Sequence, residues 1–300
     1  MCIRDRECTD KLERCEFNNA AAALEDFVIE VISRLYVPMI RRELWTDNPE
    51  TLNRRLAIYA TLWHTLKTVT LLFNPFTPYL SEALYQKVYR RLDPTLHESV
   101  NFESWPKPEK TMRNQALEED FERLFRCVSL VYSARQNARL KRRWPLRKVV
   151  VVAPEKTCES IKSLEAIFLE FANVKEVEYA QRVPDYASSD SWVSTSEGDI
   201  RIFLDTHRDK QLLGEGLMRD IARRVQSLRK ELGYVPTAIV DAVHIAELRD
   251  ENVELLKPYL KEMEELVRAK NVYLHGKRDE FEAEWREYRL DKNKIYVAIS

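Results

Sequence analysis

Glycine is almost missing from this chain: five in 300 residues, at Gly198, Gly214, Gly216, Gly233 and Gly276. Ordinary usage is roughly 7%, or about twenty. The first 197 residues contain none. That excludes from the N-terminal two-thirds every phosphate-cradling glycine loop and the G-x-S-x-G nucleophile elbow, because these sites need backbone without a Cβ. A length of 300 residues predicts two domains. Hydrophobic residues at 45% and charged residues at 32% predict a soluble globular chain. The net charge of −1 leaves only the distribution of charge informative. The longest uncharged stretch, Thr68 to Ser81, is too short for a membrane span of about 20 residues. Cys2, Cys8, Cys15, Cys127 and Cys158 are odd in number and lack C-x-x-C spacing, so neither a disulfide framework nor a zinc knuckle is expected and a reducing cytoplasm fits. Residues 1–6 lack the apolar core of a signal peptide and read as non-native sequence.

The chain divides in texture near residue 147. The first part, 7–147, predicts an all-α helix bundle. Leu24, Phe27, Val28, Val31 and Leu35 form one face of a helix from Asn19 to about Trp45, with Pro38 expected to bend or end its regular part. Leu52, Leu56, Tyr59, Trp63, Leu66, Thr70 and Phe73 give the seam of a second helix, Pro49 to Phe73. Thr77 and Pro78 open a third, with Leu80, Leu84 and Val88 inward. The fourth, about Asn114 to Asn137, buries Leu117, Phe121, Leu124, Phe125, Val128 and Val131. The second part, 148–300, predicts a smaller α+β domain. Strands are expected at Lys148–Ala153, Val174–Tyr179, Ile200–Asp205 and Ile239–Ile245, helices at 158–172, 214–232 and 252–269, and two or three short strands in the last thirty residues. Pro184 to Ser196 reads as a polar connection, and no internal repeat stands out.

No catalytic or metal-ligating constellation is legible. His64, His97, His207, His244 and His275 show no H-x-x-x-H or H-E-x-x-H spacing. Glu25-Asp26, Glu118-Glu119-Asp120 and Glu264-Glu265 fall on polar helix faces, not in a recognisable cleft. Gly214-Glu215-Gly216 lacks a third glycine and reads as a helix start. Basic residues, by contrast, cluster. Arg135, Arg139, Lys141, Arg142, Arg143, Arg147 and Lys148 stand in fourteen residues with no acid among them and with Trp144 inside. Guanidinium forks grip phosphate, and an indole can stack on an unpaired base; a solvated linker would have the same composition. Arg219, Arg223, Arg224, Arg229 and Lys230 form a second group, with 219, 223 and 230 on one helix face, which a plain charged surface would also explain. Arg34, Arg41 and Trp45 share a stripe of the first helix, with Arg42 nearer its core side. Three basic patches on a neutral protein favour RNA with splayed bases over duplex DNA.

At these same residues the chain resembles the C-terminal portion of isoleucyl-tRNA synthetases, which are class I aminoacyl-tRNA synthetases. Phe17-Asn18-Asn19-Ala20-Ala21 through Leu35–Trp45 is similar to the first helix of that family's anticodon-binding bundle. Phe73–Glu82 resembles its helix-break-helix signature, Glu98-Ser99-Val100 to Trp105-Pro106 its following loop, and Ser133-Ala134-Arg135 to Arg147 its junction. Asn173–Val177 and Gly214–Lys230 resemble the C-terminal domain that follows. The lack of a terminal cysteine zinc site points to the archaeal or eukaryote-like branch. The resemblance implies a segment that binds the anticodon stem-loop of tRNA-Ile through Arg41, Arg42, Trp45, Arg135, Arg139, Lys141, Arg142, Arg143, Trp144, Arg223, Arg224 and Lys230. It implies no catalytic residue, metal or cofactor here; ATP and Mg2+ belong to the parent's upstream catalytic domain, as the editing function belongs to its editing domain. Two other readings of the same residues are a protein–protein docking module and a stand-alone RNA-binding protein.

Overall fold

Two compact units, residues 1–115 and 116–300, divide the chain. The structure is a computed structural model that describes residues 2–44, 49–107, 114–189, 191–290 and 293–300.

The first unit is helical: α1 (Cys2–Glu13), α2 (Phe17–Asp26), α3 (Val37–Leu44), α4 (Leu52–Phe73) and α5 (Pro78–Leu84). Between α2 and α3, Phe27–Tyr36 adopts the wider i→i+5 hydrogen bonding. Pro38 follows at once and lies inside α3, so the helix runs past it. Proline lacks an N–H and crowds the preceding turn, and a widened turn absorbs both defects. A second widened stretch, Tyr85–Arg90, extends α5.

Buried faces here differ from those expected. Leu52, Leu56, Tyr59 and Leu66 of α4 are exposed, while Ile58, Thr68, Val69, Thr70 and Leu72 are buried. Leu80, Leu84 and Val88 are likewise exposed, and the buried stripe is Ser81, Tyr85 and Tyr89. The tyrosines supply bulk together with a hydroxyl that finds partners. Tyr85 Oη lies 2.6 Å from Glu103 Oε1 and 3.0 Å from the His97 carbonyl, and Tyr89 Oη lies 3.4 Å from Thr70 Oγ1. Glu82 accepts from Ser99 Oγ at 2.8 Å and the Val100 N–H at 3.0 Å, which closes the loop onto the helix. Thr77 stands at the N-cap, but its hydroxyl donates back to the Phe73 carbonyl at 3.3 Å. Pro49–Phe73 is long and apolar enough to cross a bilayer by length and composition alone. Its Arg54 and Lys67 are ion-paired within the unit, to Glu43 and Glu103.

The second unit opens with α6 (Gln115–Asn137). Its Leu124, Cys127, Val128, Val131 and Ala134 share one core with Val149, Val151, Ile161, Phe168, Ile202 and Leu204. The fourth expected bundle helix is therefore built into the sheet's core. The expected boundary at 147 falls at the passage from helix to strand, while the compact units divide at residue 115. β1 (Leu146–Val152), α7 (Glu155–Ser163), α8 (Glu165–Ala172), β2 (Val174–Ala180), β3 (Trp192–Glu197) and β4 (Ile200–Asp205) follow, in sheet order β2-β1-β4-β3. β3 lies where a polar connection was expected. It is an edge strand, half exposed along its length, so it lacks the apolar run that marks a central strand.

The same arrangement then recurs. α9 (Lys210–Glu231) leads into β5 (Val240–Ala246), α10 (Asp250–Leu256), α11 (Leu260–Val267), β6 (Ala269–His275), β7 (Arg286–Leu290) and β8 (Asn293–Ile299), in order β6-β5-β8-β7. In both sheets the first two strands are parallel and the last strand returns antiparallel beside the first. Equivalent residues of the two leading segments stand 94 positions apart, as in Arg135 and Arg229, Arg139 and Gly233, or Leu146 and Val240. Buried Leu124, Cys127, Val128, Val131 and Ala134 correspond to buried Met218, Ile221, Ala222, Val225 and Leu228. A repeat is thus present that the sequence did not display, because the halves share apolar periodicity and little residue identity.

One polar residue is shared as well. Arg135 and Arg229 are both buried near the ends of their helices. Arg135 donates to the carbonyls of Trp144 (2.8 Å), Ala172 (2.9 Å) and Asn173 (2.7 Å). Arg229 donates to those of Ala238 (2.5 Å) and Arg268 (3.4 Å). Trp144 and Ala238 are equivalent positions. Asn173 and Arg268 are equivalent too, both left-handed, with φ of 51° and 53°. Burial pushes the Arg135 guanidinium down to about 10. Truncating either residue leaves buried carbonyls without donors. Arg135→Met is expected to cost about 3 kcal/mol and Arg229→Met about 2 kcal/mol, read as lower midpoints in urea unfolding.

The second sheet also holds a buried histidine. His244 Nδ1 lies 3.0 Å from His275 Nε2, His244 Nε2 lies 3.1 Å from Ser300 Oγ, and Phe281 stacks on the ring. Burial, then the neighbouring His275, lowers the His244 pKa. In the window below the ordinary value of 6.5 the unfolded chain therefore binds more protons at this site than the folded one. His244 contributes stability above that value and the contribution is lost as pH falls through it. Thermal unfolding followed from pH 7.5 to 5.5 should show a fall in Tm that is smaller in His244→Gln.

Candidate nucleic-acid interface

The residues singled out from the sequence do not behave as one group. Arg135 is fully withdrawn into the carbonyl cage and offers nothing to a polyanion, which corrects its assignment as a contact residue. Arg41 is exposed on α3. The Arg42 side chain and Trp45 lie outside the described residues. Arg139, Lys141, Arg142, Arg143 and Trp144 form the turn between α6 and β1, and α9 lies against it.

A single carboxylate organises that contact. Asp220, on α9, is 1% exposed. Its Oδ2 accepts from Trp144 Nε1 and from Lys141 Nζ, each at 3.1 Å. Its Oδ1 lies 3.1 Å from Arg143 Nη1 and 3.7 Å from Arg224 Nη1. The Arg143 contact is ionic, without hydrogen-bond alignment, since neither atom has a hydrogen-bond partner. Arg224 further donates to the Asp220 and Arg289 carbonyls. Trp144 packs against α9 at Gly216, where an added Cβ would come within 2.6 Å of the indole. Arg208 covers the ring at 5.0 Å.

A second buried acid, Glu215, lies one turn earlier. It takes Arg219 and Lys175, each at 2.6 Å. Arg219 also reaches Asn173 Oδ1 at 2.8 Å. Gly214-Glu215-Gly216 is thus the interior of α9. The helix starts earlier, where Asp209 accepts from the Leu212 N–H. Both glycines permit close approach, Gly214 to the Leu255 carbonyl and Gly216 to Trp144. The sequence assigns Asp220 and Glu215 no role in the site, because an isolated acid in a charged helix has no periodic or spacing signal. The run of seven cations without a local acid was the one hint that a distant carboxylate had to answer it.

Among the expected contact residues of the second unit, four keep open guanidinium or ammonium groups. Arg139, Arg142, Arg223 and Lys230 are exposed and have no ion pair with a described residue. Arg142 lies over the Tyr132 ring at 4.0 Å. Arg147 and Lys148 are committed to Asp209 and Glu178. Around Asp220, one negative charge faces Lys141, Arg143 and Arg224, and this corner remains net positive beside the exposed Arg139 and Arg142. Such a surface can receive the phosphates of a polyanion. Among the described residues no group of three or more His, Cys, Asp or Glu could hold a metal ion.

Comparison with known proteins places this arrangement. Residues 5–151 match the family described as "Anticodon-binding domain of tRNA ligase". The class is therefore that of the tRNA ligases. The chain is 28% identical to isoleucine–tRNA ligase of Pyrococcus abyssi, over 94% of its own length and 31% of the relative's. It is 31% identical to that of Pyrobaculum aerophilum, over 80% and 22% respectively. It is 32% identical to that of Methanothermobacter thermautotrophicus, over 59% and 17%. The chain belongs to the isoleucine–tRNA ligase family, in a segment that carries the anticodon-binding domain, and spans about a third of the length of the first of these relatives.

Removal of the organising carboxylate separates structural from open cations. Asp220→Ala strands three cations and an indole N–H, and should lower stability by about 3 kcal/mol. Arg139→Ala and Arg142→Ala should each stay within about 0.5 kcal/mol of the parent in the same chemical denaturation series.

Proposed function

We propose that this chain is the tRNA-binding segment of a cytoplasmic isoleucine–tRNA ligase that charges tRNA-Ile with isoleucine using ATP and Mg2+. The observation that carries the reading is the coincidence of the anticodon-binding family match over residues 5–151 with relatedness to isoleucine–tRNA ligases over 94% of the chain. In this reading the anticodon stem-loop of tRNA-Ile is the ligand, and the catalytic and editing domains belong to the rest of the parent. Arg41, Arg139, Arg142, Arg223 and Lys230 are the contact residues the exposed surface supports; Lys141, Arg143, Trp144 and Arg224 act from within the Asp220 network.

The segment's own contribution is positioning. Binding energy gained on the stem-loop holds the tRNA so that its acceptor end is presented to a distant centre, which removes orientational freedom before the chemical step. Direct binding of tRNA-Ile transcript to the purified chain tests this. If Arg41, Arg139, Arg142, Arg223 and Lys230 each neutralise a phosphate, the slope of log K against log salt should lie between about −3.5 and −4.5. A salt-independent signal, or no binding at low salt, would refute the reading.

A further inference from the structure

The two halves of the second unit supply an internal control. Both build the same helix-to-strand turn: the Leu140 N–H bonds the Arg135 carbonyl as the Tyr234 N–H bonds that of Arg229, at 2.8 and 3.0 Å. Both pass through a left-handed residue, Arg139 at φ 54° and Gly233 at φ 77°. Both place a buried arginine under the carbonyl nine positions further on, Trp144 in one and Ala238 in the other. Yet the second half makes the turn as Gly233-Tyr234-Val235-Pro236-Thr237-Ala238, with no cation from residue 231 to 248. The first half makes it as Arg139-Leu140-Lys141-Arg142-Arg143-Trp144.

The fold therefore does not need these cations. Arg139 stands at φ 54°, where the left-handed backbone suits glycine and strains a residue that carries a Cβ. The first half also has what the second lacks. α9 lies across its turn, with Asp220 gathering Lys141, Arg143 and the Trp144 indole on one buried carboxylate. A carboxylate placed only to neutralise the turn would not be outnumbered three to one by Lys141, Arg143 and Arg224.

We propose that the turn 139–144 is a phosphate-contacting surface added to a fold that closes without it, and that Asp220 is its positioning residue. Asp220 holds the turn by its inner cations and indole, which leaves Arg139 and Arg142 directed outward at fixed places. This rests on the tRNA reading above and assigns the contact to one turn within it.

The sign of two effects decides. Arg139→Gly installs the second half's residue at the equivalent position. It should raise Tm by about 2 °C, through relief of the left-handed conformation, while it weakens tRNA binding and reduces the salt slope by about 0.7 to 0.9. Asp220→Asn makes the chain more positive by one charge. A simple electrostatic field would then bind tRNA more tightly, whereas loss of positioning weakens binding about fivefold or more and flattens the salt slope. Trp144→Phe tests the same role with net charge unchanged. It keeps a ring on Gly216, removes the donor to Asp220, and should weaken binding in the same direction. Circular dichroism and a cooperative melt establish folding for each variant. If Asp220→Asn does not fold, Arg139→Gly and Trp144→Phe still decide. Folded variants that bind as tightly as the parent overturn the proposal and leave the tRNA reading standing. Failure of the unaltered chain to bind tRNA removes both.

Discussion

A helix that hands over to a strand leaves carbonyls without donors, and here a buried guanidinium answers them. Arg135 collects the carbonyls of Trp144, Ala172 and Asn173, where the helix end, the turn and the left-handed corner before the second strand meet. Arginine suits the task because its rigid fork of donors can serve several acceptors at once and accepts no bond itself. Desolvating the charge is costly, and three carbonyl dipoles offset the cost. The same solution at Arg229 fixes the second corner. These corners fix the turn that leads into each first strand, and Asp220 then holds α9 against the first of them.

The duplication changes how the basic residues are weighed. Composition alone gave seven cations in fourteen residues and no means of ranking them. Within the fold they separate into three kinds. One is internal architecture, as Arg135 is. Four are held by acids, with Lys141 and Arg143 on Asp220 and Arg147 and Lys148 on Asp209 and Glu178. Arg139 and Arg142 remain open. An electrostatic surface survives, but it is smaller than the count implied, and it is shaped by a carboxylate nearly eighty positions away in sequence.

Much of the second unit was legible from its residues. The valine run became β1, Ile200–Asp205 became β4 with those bounds, and the strand and helix order of the C-terminal part followed the expected alternation. The polar edge strand β3 was not legible, because a strand with one free edge carries no continuous apolar run. In the first unit Leu24, Phe27 and Thr70 are buried as expected, whereas the inward face of the helix after Thr77 was misplaced by one register. Leucines satisfied the periodic pattern, yet Tyr85 and Tyr89 took the interior, since their hydroxyls find Glu103 and Thr70 there. For the site, Arg142 and Arg223 stand out in the sequence and are exposed, whereas Arg135 stands out and is buried, and Asp220 reads there only as one of two acids within the second basic cluster.

By itself the sequence determined the element types, the scarcity of backbone freedom, and the motifs that tie the chain to its family, because all of these are set by residues close together along the chain. Tertiary structure alone decided that the fourth helix joins a sheet's core, that the second unit is built twice, and which cations stay free. Burial and ion pairing depend on neighbours brought together across tens of residues, and neither periodicity nor composition carries that distance.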